Sequence, residues 1–306
     1  MKNLVSLKDL SSAEIEEILS LGRDLKDKYM KGVREPIFRG ATLGMIFQKQ
    51  SLRTRVSFET AMIHLGGSAL FMSDEIGFGK REPVNDFAHV LSQMVDLVMI
   101  RAKKHEDVLE FVKHASVPVI NGLTDYCHPC QALADIFTLR EVEGDLRGKK
   151  MAWVGDANNV ALSVALICGK LGLRFSLAVP EAYDFSSEVY EMLSENVPDL
   201  EVEKTQDPVK AVKGATAVFT DVWVSMGQEA EEEARKAAFA PYQVNAELMA
   251  HCPDAYFMHC LPAKRGLEVT DEVMESPRSL VIQEAGNRMH AQKGVLVWLL
   301  QQVWKK

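Results

Sequence analysis

The sequence has no apolar run long enough to cross a bilayer. The longest, Val295 to Leu300, falls far short of the roughly 20 residues a spanning helix needs. Basic residues are not in excess. Against 43 Asp and Glu stand 35 Lys and Arg, a formal net charge of −8, which argues against a broad nucleic-acid-binding surface. An anionic substrate would need a local positive pocket instead. Cysteine is scarce: five in 306 residues is an odd number with no disulfide framework, as expected of a reducing compartment. The N-terminus, Met1-Lys2-Asn3-Leu4, runs into an amphipathic segment without the apolar stretch of a secretory leader, so a cytoplasmic location is the expectation. There is no internal repeat and no low-complexity tract.

Two nucleotide signatures are also missing. No Gly-x-x-x-x-Gly-Lys occurs, which disfavours a P-loop. Gly155-Asp156-Ala157-Asn158-Asn159 follows an apolar run and opens a helical pattern, but no Gly-x-Gly-x-x-Gly is there, which disfavours an NAD-dependent dehydrogenase. Cys127-His128-Pro129-Cys130 has Cys-x-x-Cys spacing. It suits a redox pair, or half a zinc site with His259 and Cys260, yet no second such pair or spaced histidine pair exists. No metal and no cofactor are expected. Cys168 reads as core, and His64, His89, His105, His114, His251 and His290 as surface or satisfied structural residues.

What is present is a β–α–β–α rhythm, the pattern of open parallel sheets. Expected strands are Ala41 to Phe47, Val95 to Ile100, Val117 to Ile120, Met151 to Val154, Phe175 to Val179, Ala217 to Thr220, Tyr256 to His259 and Leu280 to Ile282. Ser51 can cap a helix with Phe58, Met62 and Leu65 on one face, stopped by Gly66-Gly67. Further helices are expected over His128 to Val142, Asn159 to Leu171 and Ala285 to Trp304, and the charge run Glu229 to Lys236 reads as a solvated helix face. The fold class is α/β, with two domains each built on a central parallel sheet flanked by helices, linked by interdomain helices. The break Glu143 to Gly148 sets the domains at 1–145 and 146–284, the last helix, about 285–306, packing back on the first.

The chemically able residues fall just after the strands: Ser51 to Arg55, Arg101, Asn158-Asn159, Asp221 and Cys260. In open parallel sheets ligands bind beyond the carboxyl ends of the strands, so these residues are expected to line one crevice between two domains. Ser51-Leu52-Arg53-Thr54-Arg55 puts hydroxyls and guanidiniums at a helix N-terminus, whose free amides and partial positive charge suit phosphate. A guanidinium fork binds phosphate oxygens two at a time. The plainer reading is a capped helix with two surface arginines. Asp221 by itself reads as a helix cap, the more frequent use of an aspartate after a strand, and Met226 by itself as a core methionine.

Ser51-Leu52-Arg53-Thr54-Arg55 resembles the Ser-Thr-Arg-Thr-Arg signature of the aspartate and ornithine carbamoyltransferases. His128-Pro129-Cys130-Gln131 is similar to that family's His-Pro-x-Gln. Asp221 to Gly227 resembles the Asp-x-x-x-Ser-Met-Gly loop of its ornithine branch, and His259-Cys260-Leu261-Pro262 that branch's His-Cys-Leu-Pro. Arg288 matches the arginine of its C-terminal motif. The motifs stand in the family's order across nearly the whole chain. Leu52, Gly286 and Lys264 depart from the usual threonine, glutamate and histidine, and Gly77 stands roughly where a glutamine is common.

The resemblance implies transfer of a carbamoyl group from carbamoyl phosphate to the side-chain amine of ornithine, by a homotrimer or a multiple of trimers, in arginine metabolism, with synthesis the expected direction. It implies that Ser51, Leu52, Arg53 and Thr54 cradle the phosphate and that Arg101, His128 and Gln131 reach the carbamoyl end, with Arg288 closing on it. Asn159, Asp221, Ser225 and Met226 would hold the amino acid. Cys260 and Leu261 would sit between the substrates, touching the donor. Arg53, Arg101, His128, Asp221 and Cys260 would carry the chemistry. The alternatives are a sister enzyme acting on putrescine or an acylated ornithine, and a non-catalytic ligand-binding relative.

Overall fold

A computed structural model describes residues 1–224 and 228–304. The chain divides into two compact units, Met1–Phe137 with Gly286–Lys306, and Thr138–Ala285.

The first unit carries α1 (Ser12–Met30), β1 (Thr42–Phe47), α2 (Leu52–His64), β2 (Ser68–Met72), α3 (Val84–Leu91), β3 (Leu97–Arg101), α4 (His105–His114), β4 (Val119–Leu123) and the start of α5 (Pro129–Glu143). Its four strands are all parallel, in the order β2-β1-β3-β4. β3 is buried at every position, as a strand covered on both faces must be, and its apolar run Leu97-Val98-Met99-Ile100 supplies the side chains. The second unit carries β5 (Lys150–Val154), α6 (Asn159–Lys170), β6 (Arg174–Ala178), α7 (Ser187–Asn196), β7 (Val202–Thr205), α8 (Pro208–Val212), β8 (Ala217–Phe219), α9 (Glu232–Phe239), α10 (Ala246–Ala250), β9 (Tyr256–Met258), α11 (Asp271–Met274) and the first turn of α12 (Val281–Val303). Its sheet is again all parallel, β7-β6-β5-β8-β9. Trp153 and Phe219 stack 5.1 Å apart between neighbouring strands in its core. The division between the units falls within α5 and within α12.

Each strand order reverses once. From β1 the chain crosses to β2 on one side and later to β3 on the other; from β5 it goes to β6 and β7, then to β8 on the opposite side. Where successive crossovers leave in opposite directions, the carboxyl ends of the two strands frame a crevice. The first switch point lies between β1 and β3, the second between β5 and β8.

The α/β fold with two parallel sheets is as expected. Leu280–Ile282 is not a strand. Ser279 makes a single bridge to Phe257, the Leu280 amide donates to the Phe257 carbonyl at 2.9 Å, and the chain then turns into α12. A short β-branched run has no periodicity to separate strand from buried helix. The run Glu229 to Lys236 is not a wholly solvated face either, because Arg235 is buried. α12 packs on α1 through two glycines. A Cβ on Gly294 would meet the Ile18 carbonyl oxygen at 2.2 Å, and one on Gly22 the His290 carbonyl oxygen at 2.9 Å. That close approach fixes the part of α12 bearing Arg288 against the first unit.

Candidate active site

At the first switch point, Ser51 caps α2. It is extended, at φ −160 and ψ 112, and its hydroxyl accepts from the Thr54 amide at 3.3 Å. The capped turn brings Thr54 inward. Thr54 is fully buried, and its hydroxyl oxygen accepts from Arg101 at 3.3 Å and from Arg288 at 3.4 Å. Arg101 is the last residue of β3, and Arg288 sits on α12. Arg288 also donates to Gln131 Oε1 at 2.6 Å, while Gln131 Nε2 donates to the buried Asp135 carboxylate at 2.8 Å. Asp135 thus fixes which way the Gln131 amide faces. His128 is buried beside them. Burial first, then the charges of Arg288, Arg101 and Arg53, hold its imidazole well below the ordinary histidine range, so it is neutral at pH 7. Three guanidiniums near one buried imidazole make a concentrated positive field in a chain of net charge −8.

Leu52 differs from its neighbours. Its side chain is 76% exposed, so only its backbone faces the helix N-terminus. At Gly286 nothing lies within 4 Å of where a Cβ would be.

At the second switch point the charge is of the other sign. Asn158 caps α6, its Oδ1 accepting from the amides of Val160 at 2.9 Å and Ala161 at 3.0 Å. Its Nδ2 then donates to Asp221 Oδ2 at 2.8 Å. The other carboxylate oxygen of Asp221 accepts from the Val222 amide at 2.8 Å and from the Cys260 thiol at 3.2 Å. Asp221 is therefore not a helix cap but the centre of a three-way hydrogen-bond cluster. Asn159, the residue singled out in the sequence, opens α6, and its carbonyl accepts from the Ser163 hydroxyl at 2.8 Å. Ser225 and Met226 lie outside the described residues.

Cys260 and Leu261 follow β9. Leu261 has φ 57, a left-handed conformation that costs a β-carbon-bearing residue roughly 1–2 kcal/mol. Its amide donates to His259 Nδ1 at 2.9 Å, which assigns the ring proton to Nε2, 3.5 Å from the buried Glu268 carboxylate. Asp221, His259 and Cys260 offer ligand atoms within 4.8 Å of one another. Two of those groups are already bonded to each other, and the third has given Nδ1 to the backbone.

Arg235 ties this region together. It donates to the Asp156 carboxylate at 3.0 Å, to the Trp223 carbonyl at 3.0 Å and to Glu231 at 3.1 Å. It holds both flanks of the segment that carries Ser225 and Met226. Burial pushes the Asp156 carboxyl up to about 6, Arg235 opposing and Asp221 and Glu231 adding to the rise.

The Cys-x-x-Cys spacing does not make a redox pair. Burial pushes Cys127 and Cys130 each up to about 12, so both stay protonated and unreactive, donating to the carbonyls of Val5 and Asn121. Sequence reasoning missed Asp135 and Arg235, and placed Asn158 after its strand without giving it a role. Asn158 carried a signal, since an asparagine between a strand and an apolar helix is a cap and caps have a spare amide nitrogen.

Comparison with known proteins agrees with this geometry. Residues 2–141 match the domain described as "Aspartate/ornithine carbamoyltransferase, carbamoyl-P binding domain", and residues 147–299 the one described as "Aspartate/ornithine carbamoyltransferase, Asp/Orn binding domain". The chain is 50% identical to an ornithine carbamoyltransferase of Bacillus subtilis, over 98% of this chain and 94% of that protein. It is 49% identical to one of Carboxydothermus hydrogenoformans, over 98% and 97%. Its fold superposes on the solved structure of the ornithine carbamoyltransferase of Pyrococcus furiosus with a TM-score of 0.95 at 47% identity, covering 99% of this chain and 98% of that one. Likeness at this level, over both halves and almost every residue, means that the chain belongs to the aspartate/ornithine carbamoyltransferase family.

Proposed function

We infer that this chain is an ornithine carbamoyltransferase, converting carbamoyl phosphate and L-ornithine to L-citrulline and phosphate. The observation that carries the reading is the Arg53, Arg101 and Arg288 cluster around neutral His128 at a capped helix N-terminus, in a chain about half identical to enzymes of that name. The first unit takes the donor: the amides of Leu52 and Arg53, with the Ser51, Arg53 and Thr54 side chains, hold phosphate. Arg101, His128, Gln131 and Arg288 serve the carbamoyl end. As the amine attacks, charge grows on the carbonyl oxygen and on the leaving phosphate, and fixed guanidiniums stabilise both. A neutral imidazole donates a hydrogen bond there without giving up a proton.

The second unit takes the acceptor. Ornithine's side-chain amine resembles that of lysine, pKa ~10.4, so its neutral form costs about 4.6 kcal/mol at pH 7. The Asp221 carboxylate, steadied by Asn158, accepts from an ornithine ammonium, and the Cys260 thiol moves with it. The departing phosphate, with a second pKa near ~6, is the final proton acceptor. Asn159, Ser225 and Met226 complete the grip on the amino acid, with Leu261 beside the donor. Attack is direct, with no carbamoyl-enzyme, and the reaction needs no cofactor.

A homotrimer, or a multiple of trimers, fits the outer face of the first unit. β2 is an edge strand with Leu70 50% exposed, and Val56 and Ile63 on α2 are 50% and 59% exposed. Such an edge favours pairing with another copy. Light scattering would give the mass. We place the enzyme in the cytoplasm, in arginine synthesis: among the described residues the five cysteines are free and no helix is long and apolar enough to cross a membrane. One relative, from Pyrococcus furiosus, is named anabolic. The reading is tested by product formation with ornithine, putrescine and N-acetylornithine, against an Arg53→Ala control. Ornithine should be preferred by a wide margin, and turnover surviving in Arg53→Ala would overturn the phosphate cradle.

A further inference from the structure

A second basic cluster lies in the first unit, away from the groups assigned to transfer. Lys293, on α12, is only 2% exposed. Its ammonium lies 4.8 Å from the centre of the Tyr29 ring, the Arg34 guanidinium 3.7 Å from the same ring, and the His64 ring stacks on it at 5.4 Å. These groups line a small hollow together with Lys28 and Glu35. Arg34 spends one nitrogen on the carbonyls of Tyr29 and Val33, at 3.1 and 3.2 Å. Glu35, the one acid lining the hollow, is committed to Lys28 at 2.9 Å. Among the described residues nothing accepts a hydrogen bond from Lys293, and His64 Nδ1 is buried without a partner.

An ammonium has three donors, and an aromatic face satisfies its charge but not those bonds. Two cations beside one ring, with the nearby carboxylate spoken for, repel each other. Burial and Arg34 push Lys293 down to about 8; burial, Lys293 and Arg34 push His64 down to about 4. The cluster lacks an anion.

We propose that this hollow binds a small free oxyanion, a carboxylate- or phosphate-type group, held by Lys293 and Arg34 with the His64 ring as a further donor. Lys293 takes one oxygen, the unspent nitrogens of Arg34 take another, and the three basic groups no longer face one another uncompensated. The site is independent of the proposed transfer reaction, since none of its residues belongs to the donor or acceptor clusters.

Sulfate is the probe, and thermal unfolding at constant ionic strength the readout. An Arg53→Ala background removes much of the response of the donor cluster. In that background the unfolding midpoint should rise with sulfate. Adding Arg34→Gln, an exposed change that leaves the core intact, should weaken the apparent affinity about tenfold, the loss of a charge-assisted bond. Adding Lys293→Met should cut the response to the remainder that the donor cluster retains, and the sulfate-free protein should unfold no earlier than its parent, because an unpaired buried charge has gone. The proposal is overturned if the background shows no sulfate response, or if either Arg34→Gln or Lys293→Met responds like its parent.

Discussion

Beyond the carboxyl ends of β1 and β3 stand arginines and a histidine kept neutral; beyond those of β5 and β8 stand an amide, a carboxylate and a thiol. The two sheets use the same device, a parallel order that reverses once, and in both a capped helix N-terminus follows the strand. The difference lies in what the cap residue does next. Ser51 closes on its own helix and leaves the positive end for an outside anion. Asn158 caps its helix with one atom and with another holds an acid of the protein itself, Asp221. A phosphate site supplies positive charge and waits for negative; an ammonium site must bring its own negative charge and keep it in place.

The largest effect should come from the cationic side. Arg101→Met removes a buried guanidinium that meets Thr54. The loss should be about 3–4 kcal/mol of barrier, 10²–10³-fold in kcat. The KM for carbamoyl phosphate should rise and that for ornithine should barely move. An equal rise in both would erase the division of labour between the units.

The next effect is on stability and belongs to the second unit alone. The folded-state pKa of Asp156, about 6, lies above the unfolded value of ~3.9. The folded state therefore binds this proton more tightly. The resulting stabilisation is complete below about pH 4 and is lost as pH rises through about 6, a span of up to ~3 kcal/mol. Asp156→Asn keeps an oxygen for Arg235 and removes the titration. Its denaturant midpoint should vary less between pH 4 and 6.5 than that of the parent, and parallel curves would refute the assignment.

Asp221→Asn is smaller, because the shape survives and the one remaining oxygen keeps either the bond from Asn158 or those from Val222 and Cys260. Loss of one charged acceptor should cost roughly 1.5–3 kcal/mol. It should appear in kcat/KM for ornithine and leave the KM of carbamoyl phosphate unchanged, the mirror image of Arg101→Met.

How much of this was legible differs between the two regions as well. The buried strands could be read because continuous apolar runs are a strong signal, as at β3 and β5. The edge strands β2 and β7 went unread: their positions are mostly exposed or half-exposed, so their residues show no such run. In the first unit the functional candidates are arginines and a histidine in short motifs, and hydrogen bonds and charge join them in space. In the second, the residues that hold Asp221 in place could not be read as partners. Asn158 stood among the polar residues after the strands with no role of its own, and Arg235 was hidden in a charge run whose Glu231 and Glu233 face solvent. A buried ion pair between residues 79 positions apart leaves no local pattern. Asp135 was similarly invisible, since its role lies in turning one amide of the preceding helical turn.

The smallest effect tests whether the phosphate cradle is made of backbone or side chains. Leu52 stands where the family usually has threonine, and a hydroxyl lost from a phosphate contact would weaken donor binding. The exposed side chain argues otherwise: at 76% exposure it points away from the buried Thr54, Arg101 and Arg288. What position 52 supplies is its amide, in the first turn of a helix where amides have no partner within the helix. Leu52→Thr keeps that amide and adds only a solvated hydroxyl. The KM for carbamoyl phosphate should change by less than about twofold, under ~0.4 kcal/mol. A tenfold gain would mean that side chains at this turn do reach the phosphate, and the contrast drawn between Ser51 and Asn158 would need a third participant.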